Sequence, residues 1–273
     1  MNEDGRMKSV PFVKATACGN DFLLIDAKEV NGDKAMFTRQ ICDRHRSVGA
    51  DGVEWLSPSA SADLEIHLIN ADGSPAEISG NGTRCVAAHW IARKTVSQKT
   101  MDRVTIQTDA GLKICNLIRR ADPEFEFETE MGQATVGSPL SLTLKSGPVQ
   151  GIPVSTGNPH YVIFVDAFPP NWQQQAAEIG AHAHFPQGVN VELVKVLSEA
   201  IEIRIYERGA GETQSSGTGS CASAVAAIAA SRAHSPLQVM APGGPQTVRW
   251  ENNEIYLLGP ARIICRGEYL WAV

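Results

Sequence analysis

The chain contains the same serine–glycine motif twice, half a chain apart. The first copy, SGNG, begins at Ser79, and the second, SGTG, begins 137 positions later at Ser216. A glycine–asparagine pair precedes each copy at matched spacing: Asn20 lies 59 positions before Ser79, and Asn158 lies 58 positions before Ser216. Self-similarity at a fixed period indicates a repeated structural unit, so the sequence predicts two similar halves. One such motif per half offers two similar groups that can approach one carbon from opposite sides, as inversion of a stereocentre requires.

Each motif precedes a segment of helical length that is apolar around most of its circumference. These segments are Thr83–Lys94 and Ser220–Arg232, and a helix that is apolar on nearly every face is buried. Strand-like segments such as Leu64–Asn70 alternate with them. The sequence therefore predicts an α/β fold in which each half wraps a sheet around its own central helix. The acidic segment 122–126 is the expected junction, which gives halves of 1–127 and 128–273.

Composition narrows the classes of function. The net charge of -6 and the pI of about 5.7 argue against nucleic acid or an anionic membrane as the main partner. The first eight residues carry mixed charge with no apolar run behind them, which predicts neither a signal peptide nor a membrane span. Six cysteines without CxxC spacing are typical of reduced thiols. We therefore expect a cytoplasmic protein.

The two motifs predict anion-binding helix starts. A buried helix entered through Ser-Gly-x-Gly presents unpaired N–H groups and the positive end of its dipole, and glycine lets a ligand approach the backbone. Such an end can hold a carboxylate and stabilise the charge that develops when the neighbouring carbon loses its proton. The alternative is that Ser79 and Ser216 are simple helix N-caps. Neither serine lies in a G-x-S-x-G elbow, and no P-loop lysine follows either glycine pair.

Eight short motifs follow one another along nearly the whole chain. They are ACGNDF at 17–22, GADG at 49–52, NADGS at 70–74, GNGTRC at 80–85, GNPH at 157–160, NVE at 190–192, YERGAGET at 206–213 and GTG at 217–219. In this order they resemble the motifs of the diaminopimelate epimerase family, isomerases of amino-acid biosynthesis in the bacterial route to lysine and the cell wall. The resemblance implies a PLP-independent, cofactor-free enzyme that interconverts LL- and meso-diaminopimelate.

The same resemblance implies a fold and an assembly. The implied fold has two pseudosymmetric α/β halves, each a curved mixed sheet wrapped around a central buried helix, with the ligand in the cleft between them. The C-terminal strand, about 264–273, packs back on the first half. The small-molecule substrate is the expected partner, and a homodimer is the expected assembly. Neither a metal nor a cofactor is expected, and the pair His182 and His184 lacks a third ligand at motif spacing.

The resemblance also assigns roles to residues. One set of residues surrounds the reacting carboxylate and holds the distal end of the substrate. This substrate-binding set comprises Asn20, Asn70, Gly80, Asn81, Asn158, Asn190, Glu207, Arg208, Gly217 and Thr218. Positions 79 and 216 correspond to the two catalytic bases, and His160 and Glu207 to their proton-handling partners. A distal amino-acid end needs a cation, a carboxylate and amide dipoles, which this set supplies.

The chain departs from the family at the two base positions, where the family has cysteine and this chain has Ser79 and Ser216. A thiol with a reference pKa of about 8.5 is readily made a thiolate, whereas an alkoxide is much harder to form. Three hypotheses follow. The chain is an epimerase impaired by loss of its cysteines, a racemase, isomerase or dehydratase that uses serine, or a ligand-binding relative without turnover.

Overall fold

The computed structural model describes residues 7–76, 78–93 and 103–272 and divides the chain into two units. Unit 1 comprises Met1–Glu128 and Pro260–Val273, and unit 2 comprises Thr129–Gly259. The predicted limits of 1–127 and 128–273 for two domains stay a prediction. In the predicted junction, 122–126, Asp122 and Pro123 form the turn between two strands.

Among its described residues, unit 1 holds two α-helices and the first strands of the chain, the last of which continues into unit 2. Their bounds are β1 (Met7–Ala17), β2 (Asn20–Asp26), a short 3-10 helix (Ala27–Glu29), α1 (Lys34–Ile41), β3 (Gly52–Ser57), β4 (Leu64–Asn70), β5 (Pro75–Ala76), α2 (Gly80–Ala92), β6 (Arg103–Thr108), β7 (Gly111–Ala121) and β8 (Glu124–Gln133).

Unit 2 repeats this plan with a second pair of helices. Its elements are β9 (Thr135–Val136), β10 (Leu140–Leu144), β11 (Gly147–Ser155), β12 (Pro159–Phe164), α3 (Trp172–Gly180), β13 (Asn190–Val196), β14 (Ala200–Glu207), β15 (Gly211–Thr213), α4 (Gly217–Ala229), β16 (Leu237–Ala241) and β17 (Gly244–Glu251), followed by β18 (Glu254–Ala272), which continues into unit 1.

In each unit one helix is buried on the inner face of the sheet and the other lies on the outer face. The apolar core of unit 1 surrounds α2, and a second cluster packs Phe37 of α1 against Trp55 of β3. In unit 2 the corresponding clusters surround α4 and pack Trp172 of α3 against the other face of the sheet. The fold class predicted from the sequence, a sheet wrapped around a buried central helix in each half, is confirmed.

The strands beneath the two buried helices match in register. β2 pairs in parallel with β3, with Phe22 opposite Gly52, and β12 pairs in parallel with β13, with His160 opposite Asn190. Two residues further on, Leu24 lies opposite Glu54, and Val162 lies opposite Glu192. Because side chains alternate along a strand, every second residue of β3 and β13 faces the buried helix. Phe22 and His160 are therefore equivalent positions, as are Glu54 and Glu192.

Two predicted boundaries need correction. Both buried helices begin three residues earlier than predicted, at Gly80 and Gly217, since the serine caps outweigh the low helix propensity of glycine. Helix α3 was not predicted from the sequence. No helix in the described part of the chain is long and apolar enough to cross a membrane.

Candidate active site

Both predicted base positions are N-caps of the buried helices. The Oγ atom of Ser79 accepts a hydrogen bond from the backbone N–H of Gly82 at 3.1 Å, and the Oγ atom of Ser216 accepts one from Gly219 at 3.2 Å. A serine cap satisfies one of the first four unpaired N–H groups of a helix. The first turns of α2 and α4 contain no acidic residue, so the remaining N–H groups and the positive dipole end are left for an anion.

A chain of hydrogen bonds fixes the amides of two predicted substrate-binding residues in unit 1. The buried Arg84 donates to the Oδ1 atom of Asn81, and Asn81 Nδ2 donates to Asn20 Oδ1 at 2.6 Å. Asn20 Nδ2 in turn donates to Asp51 Oδ2 at 3.1 Å. Since each amide oxygen accepts from within the protein, both amides are held with a defined orientation.

Ion pairs hold the Asp51 end of this series of hydrogen bonds. Arg44 forms ion pairs with Asp21 and Asp51, and Lys14 lies 2.9 Å from Asp21 Oδ2. Burial raises the pKa of Asp21, but hydrogen bonds from Arg44 and Lys14 outweigh this and hold its pKa below the ordinary value. Asp51 is thus the group that accepts the hydrogen bond from the Asn20 amide.

Asn70 lies at the end of β4, where Gly52 of β3 pairs with it. Its Nδ2 atom donates to Ser74 Oγ at 3.1 Å, and the backbone N–H of Ala71 donates to the carbonyl of Asp51 at 2.9 Å. Asp72 accepts hydrogen bonds from the backbone and side chain of Ser74. The turn after β4 is therefore held by its own polar side chains, next to the residues that anchor Asn20.

The predicted proton-handling residues of unit 2 form a connected group around the start of α4. His160 is 1% exposed; its Nδ1 atom lies 2.7 Å from Glu192 Oε1, and its Nε2 atom lies 2.9 Å from Asn158 Oδ1. Asn158 Nδ2 donates to Thr218 Oγ1 at 3.4 Å, which is also 3.4 Å from the Oγ atom of Ser216. These contacts join His160 to the serine cap through two short polar side chains.

Glu207 reaches the same cap from the end of β14. Burial raises the pKa of Glu207 and the nearby Glu192 adds to the rise, while the neighbouring Ser216 hydroxyl opposes it. A carboxyl group beside a hydroxyl can exchange a proton with it.

Asn190 and Arg208 are engaged with the protein itself. Asn190 Nδ2 donates to the carbonyl of Pro159 at 3.0 Å, and its Oδ1 atom accepts from the backbone N–H of Arg208 at 2.9 Å. The guanidinium of Arg208 is exposed and donates to the carbonyl of Gln187 at 2.9 Å. Asn190 therefore positions the backbone at residue 208, and the cation of Arg208 remains accessible from solvent.

The sequence analysis missed two buried carboxyl groups, Glu54 and Glu192, each fully shielded from solvent. A carbon added to Gly82 would overlap Glu54 Oε1, and one added to Gly219 would lie 2.8 Å from Glu192 Oε1. Each carboxyl thus abuts the glycine whose N–H bonds the serine cap. The signal was present, because each glutamate interrupts an apolar strand, 25 residues before Ser79 and 24 before Ser216.

The described residues contain no cluster of three or more His, Cys, Asp or Glu side chains suited to a metal ion. His182 and His184 lie in the segment after α3, where the Nδ1 atom of His182 accepts from the backbone N–H of His184. That contact leaves the pair as part of a local turn.

The fold is shared with solved structures of several activities. A phenazine biosynthesis protein of the PhzF family from Bacillus anthracis matches with a TM-score of 0.73 at 15% identity, over 97% of this chain and 100% of that chain. A hydroxyproline epimerase from Agrobacterium vitis, solved with bound trans-4-OH-L-proline, matches with a TM-score of 0.71 at 16% identity, over 96% of this chain and 91% of that chain. At these identities the likeness defines the fold alone.

Proteins of similar sequence identify the family within this fold. The family model described as diaminopimelate epimerase matches residues 12–136 and 152–264. The diaminopimelate epimerase of Pelotomaculum thermopropionicum is 38% identical over 94% of this chain and 98% of that protein. The diaminopimelate epimerase of Methanothrix thermoacetophila is 37% identical over 96% of each. The chain belongs to the diaminopimelate epimerase family.

Proposed function

We propose that this chain interconverts LL- and meso-diaminopimelate by moving one α-proton between Ser79 and Ser216 without a cofactor. One observation carries the proposal. In this member of the diaminopimelate epimerase family, each of the two buried helices begins with a serine N-cap that is followed by glycine. One residue removes the proton from one side of the α-carbon and the other returns a proton to the opposite side.

The helix starts bind the carboxylate next to the reacting carbon. The N–H groups at Gly80 and Asn81 and at Gly217 and Thr218 supply hydrogen bonds, and the helix dipoles stabilise the charge that builds up as the α-proton leaves. Asn20, held by Asp51 and Asn81, supplies a fixed amide to the same ligand.

The distal amino-acid end of the substrate is recognised by Asn70, Asn158, Asn190, Glu207 and Arg208. The exposed guanidinium of Arg208 suits the distal carboxylate, and Glu207 suits the distal ammonium group. Asn190 acts through the backbone of Arg208, which it bonds directly.

In unit 2, proton movement at Ser216 uses Glu207 and His160. When Ser216 takes the α-proton, its hydroxyl proton passes to the neighbouring carboxylate of Glu207. His160 is held by Glu192 and connected to the cap through Asn158 and Thr218. Each unit of mismatch in base pKa costs about 1.36 kcal/mol, so four units would cost roughly 5 kcal/mol, on the order of ten-thousandfold in rate. We therefore expect slow turnover.

A ligand-binding protein without turnover is the second candidate. It is favoured by the serine at both base positions and by the Ser79 hydroxyl, which is hydrogen-bonded to no titratable side chain among the described residues. A protein of this kind would bind diaminopimelate and leave its α-proton in place.

Two measurements test the proposal. Calorimetric titration with LL- and with meso-diaminopimelate should give saturable heat, and the Arg208→Ala variant should lose at least tenfold in affinity. Chiral analysis of each isomer after prolonged incubation should show slow conversion into the other. Saturable binding with no conversion supports the second candidate, and no heat with either isomer contradicts both.

Two further expectations belong to this proposal. The cysteine pattern favours the reducing cytoplasm, which localisation of the tagged protein can test. A homodimer is expected from the resemblance to the family, and light scattering would give its mass directly.

A further inference from the structure

The two buried carboxyl groups, Glu54 and Glu192, differ in whether they have a hydrogen-bond partner. In unit 2, Glu192 lies 2.7 Å from the Nδ1 atom of His160. In unit 1 the position equivalent to His160 is Phe22, whose ring has no hydrogen-bonding group. Neither oxygen of Glu54 has a hydrogen-bond partner among the described residues. The same carboxyl therefore has a partner in one unit and none in the other.

Glu54 is aimed at the start of α2. A carbon added to Gly82 would overlap Glu54 Oε1 and would lie 3.2 Å from the Cβ atom of Ser79. Gly82 also donates the hydrogen bond that Ser79 accepts. The carboxyl, the cap and the N–H groups that would receive a substrate carboxylate thus meet at one glycine.

The strand residues that pair with Glu54 are uncharged. The flanking strands β2 and β4 place Leu24 and Leu68 opposite it. On α2 the nearby titratable group is the buried thiol of Cys85, whose pKa is raised by burial and, to a lesser extent, by Glu54. Arg84, on the same helix, directs its guanidinium to Asn81 and to the carbonyl of Pro260. Burial raises the pKa of Glu54 to about 8.

We propose that Glu54 is a positioning residue that must hold a proton for an anionic ligand to occupy the start of α2, so that binding is linked to proton uptake. The reason is electrostatic, because the positive end of one helix stabilises one anion, and an ionised Glu54 would compete with the substrate carboxylate in a site shielded from water. The proton enters from solvent and stays on the Glu54 carboxyl while the ligand is bound.

This inference rests on the proposed function, because it takes the carboxylate of diaminopimelate as the ligand. It assigns different roles to the two units. Unit 1 offers a neutral carboxyl behind its helix start, and unit 2 offers the His160–Glu192 pair and Glu207. A two-base reaction needs a protonated group on one side of the α-carbon and a group able to accept a proton on the other. The difference between the two units would determine which side donates and which side accepts.

The test uses calorimetry with meso-diaminopimelate on the full chain, the Glu54→Gln variant and the Glu54→Leu variant. At pH 8, titrations in two buffers of different ionisation enthalpy should reveal uptake of about half a proton by the unmodified protein beyond that of either variant. Between pH 7 and pH 9 the affinity of the unmodified protein should fall about tenfold more than that of Glu54→Gln. The amino groups of the ligand titrate equally in all three titrations.

The outcomes separate the two proposals. Equal proton uptake and equal pH dependence in all three proteins would overturn the role of Glu54 and leave the proposed function standing. Absence of heat in all three would contradict the proposed function and this inference together. If Glu54→Gln does not fold, Glu54→Leu supplies the comparison, because its side chain suits the apolar surroundings. Infrared absorption of a protonated carboxyl, lost in Glu54→Leu, would identify the group directly.

Discussion

A serine at the start of a buried helix can cap the helix, contact an anion or move a proton. Ser79 and Ser216 cap their helices, and the cap alone contributes about 1 kcal/mol to stability. Their surroundings differ, because Ser216 contacts Glu207 whereas Ser79 lies near Glu54 across Gly82. The acid–base behaviour of each serine is therefore set by its carboxyl neighbour.

The buried carboxyl of Glu54 makes folding stability depend on pH. Its pKa rises from the ordinary 4.5 to about 8, so its contribution to stability is fully present below pH 4.5 and is lost as pH rises through about 8. From pH 6 to pH 9 the unmodified protein should lose on the order of 2 kcal/mol of unfolding free energy more than Glu54→Gln. Urea unfolding of both proteins at several pH values measures this. Equal losses would show that Glu54 ionises without penalty.

Phe22→His would copy into unit 1 the partner that Glu192 has in unit 2. The matched register of β2–β3 and β12–β13 places residue 22 where His160 stands. A histidine there should lower the pKa of Glu54 by pairing with its ionised form. The pH dependence of unfolding should then become flatter than in the unmodified protein. Phe22→Leu, which adds no polar group, is the control and should leave the dependence unchanged.

At the scale of elements, the two helix starts were predictable from sequence because serine and glycine act through local backbone geometry. The contacts that define their chemistry were not, since Glu54 and Glu192 reach Gly82 and Gly219 from distant strands. An alternating pattern reveals which face a residue takes but gives no information about the partner on that face. Helix α3 was missed because it has only nine residues, of which Trp172, Ala176 and Ile179 are buried.

Glycine at position 82 is required by space rather than by backbone conformation. Gly82→Ala should lower the unfolding free energy by about 1–3 kcal/mol, because the new methyl group overlaps Glu54 Oε1. Gly219→Ala, whose methyl group would lie 2.8 Å from Glu192, should cost less. Chemical unfolding of each variant measures the difference. In the background of Glu54→Ala the cost of Gly82→Ala should largely disappear, and an undiminished cost would contradict this explanation.

For the whole molecule, the path of the C-terminal strand is a long-range feature. β18 pairs with β1 from Met7 opposite Ala272 to Thr16 opposite Arg262. Composition and periodicity predict a strand there but contain no information about its partner, and only the resemblance to the family suggested that about 264–273 returns to the first half. Pairing across nearly the full sequence length is decided by which apolar faces remain to be covered.

Trp271 shows what this pairing contributes to unit 1. Its side chain is 5% exposed, packs edge-on against Phe37 and donates from Nε1 to Gln40. Trp271→Ala should lower the unfolding free energy by about 3–5 kcal/mol. Thermal unfolding followed by far-ultraviolet circular dichroism, which reports on backbone structure, measures this loss. Leu270→Ala, at a neighbouring residue that is 60% exposed, is the matched control and should change stability little.

The central claim is that positions 79 and 216 exchange the α-proton of diaminopimelate. It is tested most directly by measuring exchange of that proton in deuterated water for the unmodified chain and for Ser79→Cys combined with Ser216→Cys. The double variant should exchange and invert faster by several orders of magnitude, because a thiolate forms far more readily than an alkoxide. Equal rates in both proteins would contradict the claim and assign the base role to Glu207 or His160.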